Sequence, residues 1–210
     1  MRKVAPTKTN LQKLQGELRF ARLGHELLDQ KRNILVMELL NLVDQAVDFE
    51  NRTRVTLGEA YRCLEEAVLD MGKLKIMSLS SGINIDAEIS LSQRRVMGVV
   101  LPVVETDFRE HPPYFSPAGT SYWVDSSLTG FKDALIIIGR LAELKISIMR
   151  LAQEVRKTIR KVNALDKVAI PDLSETVGYI QGRLEENERD MFALMKMVKT
   201  RLEKKRELEK

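Results

Sequence analysis

The side chains that could carry chemistry are few and scattered. His25 and His111 are the only two histidines, and neither has a second His or a Cys at metal-ligand spacing. Asp86 and Glu88 would share one side of a strand and could act as an acid and base pair, but an alternating polar face accounts for them equally well. The run Ser80, Ser81, Gly82 lacks the lysine and the glycine spacing of a phosphate-binding loop. Cys63, the single cysteine, falls on a helical seam position, where a small apolar side chain is expected. No nucleophile stands beside a base. These residues predict no catalytic site, no metal and no cofactor.

What does stand out is charge at the two ends. Residues 1–32 hold eight basic side chains against three acidic ones, and residues 195–210 hold seven against three. With a net charge of +4 for the whole chain, the stretch between the ends is acidic. Lys8, Lys13, Arg19 and Arg22 near the start, and Lys196, Lys199 and Arg201 near the finish, are the candidate binding residues. They could track nucleic-acid phosphates or face a polar protein surface. Their neighbours are leucines of a helical seam, not aromatics that would stack on bases, which favours a protein partner. A free-standing coiled coil that binds nucleic acid or an anionic surface is the alternative.

Two long helices must position these ends. From Leu128 to Lys210 apolar residues recur three and four apart at Leu141, Leu144, Ile148, Leu151, Val155, Val162 and Leu165, with Thr158 the polar member, which is a coiled-coil seam. The pattern resumes at Val177, Ile180, Leu184, Asn187, Met191, Leu194 and Val198, displaced by one position. Pro171 between the two runs predicts a kink or a short loop with a restart. At the other end a frame from Leu11 through Leu14, Leu18, Ala21, His25, Leu28, Arg32, Leu35, Leu39, Leu42, Ala46, Phe49, Thr53, Thr56, Ala60, Cys63, Ala67, Asp70 and Leu74 to Met77 predicts a second helix, roughly 100 Å long at 1.5 Å per residue. Thr9 or Asn10 would cap it.

Residues 78–127 differ in character. Ile83, Ile85, Ala87, Ile89 and Leu91 alternate with polar residues as in a half-exposed strand. Val96 to Val104 predicts a second strand, and Pro102 confines it to an edge or an end. His111 to Gly119 reads as a loop. The expected fold is therefore mainly α: two very long antiparallel helices, 1–77 and 128–210, forming a coiled coil, with a β-hairpin-bearing head, 78–127, inserted between them at the far tip. Phe20, Leu27, Leu40, Ile146 and Met197 lie off the seams, and such surplus apolar surface implies packing partners. Met1 to Asn10 has no signal-peptide core, and the apolar runs are too short to cross a bilayer. A single cysteine suits a reducing compartment.

In order along the chain, several groups of residues resemble the D subunit of the V-type and archaeal-type rotary ATPases, the central rotor stalk. They are Val4, Pro6, Thr7, Lys8, Asn10 and Leu11, then Gly24, His25, Leu27, Leu28, Lys31 and Arg32. Arg94 and Arg95 precede the Val96 to Pro102 run. Arg160, Val162, Asn163, Ala164 and Leu165 lead to Ile170 and Pro171, followed by Leu184, Glu185, Glu186, Glu188, Arg189, Phe192, Leu194 and Lys199. The resemblance covers nearly the whole chain. It implies a non-catalytic shaft whose ends are gripped by a hexamer of A and B subunits. An F subunit would sit on its side, and a funnel-shaped subunit of the membrane rotor would take its far end. Such a shaft is peripheral, on the cytoplasmic face of the membrane, and the short C-terminus looks prokaryotic. The basic residues above would then face the hexamer. Ile83, Ile85, Ile89, Arg94, Arg95 and Val99 would form a hairpin that modulates turnover.

Overall fold

The computed structural model describes residues 4–83, 85–109, 113–116 and 118–208. Helix α1 spans Lys8–Met71 and α2 spans Lys73–Gly82. Strands β1 (Asp86–Val96) and β2 (Val99–Arg109) pair antiparallel. Helix α3 (Tyr122–Ala164) passes through a π-helical turn, Leu165–Ala169, into α4 (Ile170–Leu208). The architecture is mainly helical, two long helical segments with a small two-stranded sheet between them. By its contacts the chain divides into two compact units, residues 33–156 and residues 1–32 with 157–210, so the divisions fall inside α1 and inside α3.

In the unit of residues 33–156, α1 and α3 run antiparallel. Going down α1, Met71 Sδ accepts from Ser121 N at 3.1 Å, Cys63 Sγ lies 3.5 Å from Ser126 Oγ, the Tyr61 and Phe131 rings meet edge to face at 5.1 Å, and Glu50 lies 3.9 Å from Lys145. At Gly130 the helices come so close that a Cβ there would sit 3.0 Å from Ala60 Cβ. The expected seams are largely the buried ones: Leu35, Leu42, Ala46, Ala60 and Ala67 on α1, Leu141, Leu144, Leu151 and Val155 on α3. Each fully buried leucine contributes about 1.5–3 kcal/mol. The α3 seam also reaches further back than expected, through Ala134, Ser127 and Val124, because the helix begins at Tyr122 and not at Leu128.

The first helix does not run to Met77. It stops at Met71, because Gly72 adopts φ 84° and ψ 146°, a region essentially reserved for glycine. The expected seam members beyond Ala67 are consequently uncovered: Leu74 is 85% exposed. Past the break, Ile76, Leu79 and Ile83 fold against Leu64, Val124, Leu128 and Phe131 around a small apolar cavity.

The hairpin is the second departure. It does not stand at the tip of the helices but lies back along them, with Leu101 fully buried among Leu35, Leu42, Leu144 and Leu151 and with Val96 and Val99 packed on the same cluster. Its turn is Met97–Gly98, both at positive φ, the two-residue geometry that matches strand twist. Ile83 and Ile85 precede β1, and Ile89 and Leu91 are 61% and 73% exposed, so β1 is uncovered where a half-buried strand was expected. Strand β2 supplies the packing. Its far edge is held by α3: the buried Glu143 carboxylate accepts Val104 N–H at 3.0 Å and Arg140 Nη1 at 2.7 Å, and Arg150 donates to Val100 O at 2.9 Å. Gly139 leaves room for Thr106, whose Oγ1 would lie 2.7 Å from a Cβ at that position.

In the unit of residues 1–32 with 157–210, Leu14 and Leu18 pack on Leu173, Val177 and Ile180, with Leu11, Ala21, Ile170 and Leu184 around them. Thr7 caps α1, its Oγ1 accepting Asn10 N–H at 3.3 Å while Asn10 Nδ2 reaches back to Ala5 O at 2.9 Å; the cap is two residues earlier than expected. The kink or restart expected at Pro171 is instead a single π turn. Ile170 N–H bonds Leu165 O, five residues back, and the helix continues. That one additional residue accounts for the displaced seam: Leu165 is followed by Ile170, Leu173, Val177 and Ile180, and the last three are buried. Pro171 falls in the first turn of α4.

Candidate functional site

The described candidates weighed for catalysis lie apart from one another. Glu88 is paired with Arg109 at the exposed base of the hairpin. The Ser80 and Ser81 hydroxyls bond back to Met77 O and Ser78 O within α2, so they compete for helix carbonyls and present nothing to a ligand. Cys63 is half-buried against Ser126, and His25 is half-buried on α1. His111 lies outside the described residues. Among the described residues no three His, Cys, Asp or Glu side chains are grouped to hold a metal ion.

The basic candidates are all exposed, but they form two groups. Lys8, Lys13, Arg19 and Arg22 sit on the stretch of α1 whose apolar side packs on α4, and Lys8, Arg19 and Arg22 fall within about 60° of one another around the helix. Lys196, Lys199 and Arg201 sit further on, roughly 18–26 Å of helix beyond Leu184 at 1.5 Å per residue. Among the α4 residues whose side chains are described, Leu184 is the last that is not exposed. Among the described residues none of α4 beyond Leu184 is covered by α1, so Lys196, Lys199 and Arg201 stand on an overhang and not beside the basic residues of α1.

That overhang is the most unusual surface of the molecule. Met191, Phe192, Leu194, Met195, Met197, Val198 and Leu202 are each more than half exposed, and they spread over more than half of the helix circumference. Interleaved with them are the basic residues, and Lys196, Met197, Thr200, Arg201 and Lys204 line a shallow groove with Ala193. An apolar stripe of that width ordinarily faces a partner. The expected seam residues Met191, Leu194 and Val198 lack any cover from α1. The pattern was visible in the sequence; that the partner helix ends short of it was not.

A second patch lies in the other unit, where α1 breaks and α3 begins. Leu69, Leu74, Met77 and Tyr122 are more than half exposed and Trp123 is 40% exposed. Lys75 Nζ ties this region to Gly119 O at 2.6 Å. Of the hairpin candidates, Ile89 and Arg95 are exposed, Arg94 reaches Glu38 of α1 at 3.4 Å, Val99 packs on the core, and Ile83 lines the cavity under α2.

Long helices in coiled-coil pairing and, in each unit, a patch of uncovered apolar side chains are the features the described residues present. Comparison with known proteins supplies the family. The model of the family formed by the D subunit of ATP synthase matches residues 10–200. The chain is 35% identical over 206 residues to the D subunit of the A-type ATP synthase of Thermococcus sibiricus, covering 97% of this chain and 96% of that protein. It is likewise 35% identical over 199 residues to the D subunit of the V-type ATP synthase of Thermotoga neapolitana, covering 95% and 98%. With the D subunit of the A-type ATP synthase of Methanopyrus kandleri it shares 33% identity over 205 residues, covering 97% and 88%. This chain belongs to the ATP synthase D-subunit family.

Proposed function

We propose that this chain is the central rotor shaft of a prokaryotic V-type or A-type ATPase, non-catalytic itself, coupling ATP hydrolysis or synthesis in a hexamer of A and B subunits to rotation of the membrane ring and ion transport. The observation that carries this reading is the α4 overhang, an uncovered helix with apolar and basic residues on all sides. A surface of that kind suits enclosure by a ring of subunits, each meeting a different face. Lys8, Lys13, Arg19, Arg22, Lys196, Lys199 and Arg201 supply charge contacts of about 0–1 kcal/mol per exposed pair, weak enough that no angular position becomes a trap. Each catalytic interface then sees a different side of the shaft, which links hydrolysis steps to shaft angle as coupled equilibria.

The patch around Leu69, Leu74, Met77, Tyr122 and Trp123 fits the funnel-shaped subunit of the membrane rotor, and an F subunit packs on the side of the shaft. Among the described residues no helix is long and apolar enough to cross a membrane, in keeping with a peripheral place on the cytoplasmic face. The hairpin modulates turnover through its uncovered strand.

The test is reconstitution. A purified hexamer of A and B subunits should co-elute with this chain and change its ATPase rate, and reversing the seven basic charges together should weaken association and flatten its salt dependence. Unchanged association after reversal would remove the bearing assignment. Failure of the native chain to associate at low salt would remove the shaft itself.

A further inference from the structure

The two edges of the hairpin are treated differently. Antiparallel pairing alternates residues whose backbone groups bond the partner strand with residues whose groups point away. Val104 N–H and Val100 O point away from β1, because they bond Glu143 and Arg150 of α3. Pro102, between them, has no N–H to satisfy. The outer edge of β2 is therefore closed. By the register, the residues of β1 opposite Val100, Pro102, Val104, Thr106 and Phe108 are Arg95, Gln93, Leu91, Ile89 and Ala87, and it is their N–H and C=O groups that point outward from β1.

Nothing among the described residues pairs with that edge: the sheet has two strands, and every β1 residue through Arg95 is exposed. Natural edge strands are blunted by charged side chains, Pro, a bulge or shortness; β1, at 11 residues, has no Pro and no bulge, and its middle carries no charge. Its charges stand only at its ends, Asp86 and Glu88 before the uncharged run Ile89 to Gln93, Arg94 and Arg95 after it. Acidic at one end and basic at the other, the strand is complementary to itself in antiparallel alignment. With Leu91 opposite Leu91 of a second copy, the outward-pointing residues of both strands face one another, Ile89 meets Gln93, and Glu88 meets Arg94 on each side of the two-fold axis.

We propose that the unassembled chain pairs with a second copy of itself through the outer edge of β1, forming a continuous four-stranded antiparallel sheet across a two-fold axis. The pairing satisfies the free backbone row and sets Leu91 beside Leu91 and Ile89 beside Gln93 on one sheet face, and its charge pattern sets a single register. It stands independently of the shaft reading.

The experiment uses the full chain alone. Sedimentation across micromolar to millimolar concentration should show a monomer–dimer equilibrium, with the Ile89, Leu91 and Gln93 amides gaining hydrogen-exchange protection as the dimer fills. Leu91→Pro removes only an outward-pointing N–H and should abolish the dimer with the β2 amides still protected. With Glu38→Gln and Arg109→Gln in the background, so that the swap meets no like charge within the chain, Glu88→Arg should weaken pairing about tenfold or more by setting like charges opposite each other, and Glu88→Arg combined with Arg94→Glu should restore it. If Leu91→Pro disturbs the hairpin, the charge-swap pair decides. A monomer at every concentration, or a dimer of undiminished affinity in Leu91→Pro with the hairpin intact or in Glu88→Arg, would overturn the proposal. So would finding that this edge binds only a strand of another protein.

Discussion

Glu143→Ala should release the hairpin from α3 while leaving the helices paired. The Glu143 carboxylate is almost fully buried and holds two donors, the Val104 amide at 3.0 Å and Arg140 at 2.7 Å. Arg140 is half exposed and can turn to water, so its share is under about 1 kcal/mol. The backbone bond to a charged acceptor is the larger part, about 1.5–3 kcal/mol, since the amide is left facing a methyl group. Loss of the carboxylate's own desolvation lowers the net, which we place at about 2 kcal/mol. That is roughly a thirtyfold rise in the opening constant of the hairpin. Hydrogen exchange of residues 99–109 should accelerate by that factor, while amides around Leu173 to Ile180, in the other unit, keep their rates. Glu143→Gln retains an acceptor for Val104 and should lose about half as much. Unchanged exchange in β2, or equal acceleration everywhere, would show that the carboxylate is not what holds the hairpin.

Three further outcomes follow from the packing. Leu144→Ala removes a side chain 2% exposed at the centre of the larger core and should cost about 2–5 kcal/mol in urea unfolding. Gly72→Ala places a Cβ on a backbone at φ 84° and should cost about 1–3 kcal/mol, seen as faster exchange in α2. Deleting Val168, which is 67% exposed in the π turn, brings Leu165 and Ile170 to a spacing of four and makes the seam continuous. The thermal midpoint should hold or rise, whereas deleting Ala152 in the regular seam should lower it by rotating every later contact about 100°.

Much of the helical pairing was legible because a seam repeats, and repetition averages over odd residues such as Thr158. Single-residue events were not. Gly72 looks like any helical glycine, and Asp70 in a seam position was no clearer a signal than Arg32, Thr53 or Thr56 earlier in the same frame. The one-position displacement after Leu165 was visible, but a proline nearby argued for a kink, when an added residue can be absorbed by one π turn and the proline by the turn after it. Alternation in β1 gave strand type without saying which face, if any, would be covered, since that depends on Glu143, Arg150 and Gly139 on α3, well removed in sequence, receiving β2. The basic side chains were plain as charge. Their separation was not, because it depends on where α1 runs out, and the burial that ends at Leu184 is a property of the fold.

The central claim is rotation. With Cys63→Ser and Met97→Cys in the hairpin turn, a bead can be attached to the chain held in a surface-fixed hexamer of A and B subunits. The shaft account predicts that adding ATP turns the bead in one direction at a rate that follows hydrolysis. Hydrolysis at the normal rate with the bead stationary on a bound, folded chain would contradict it.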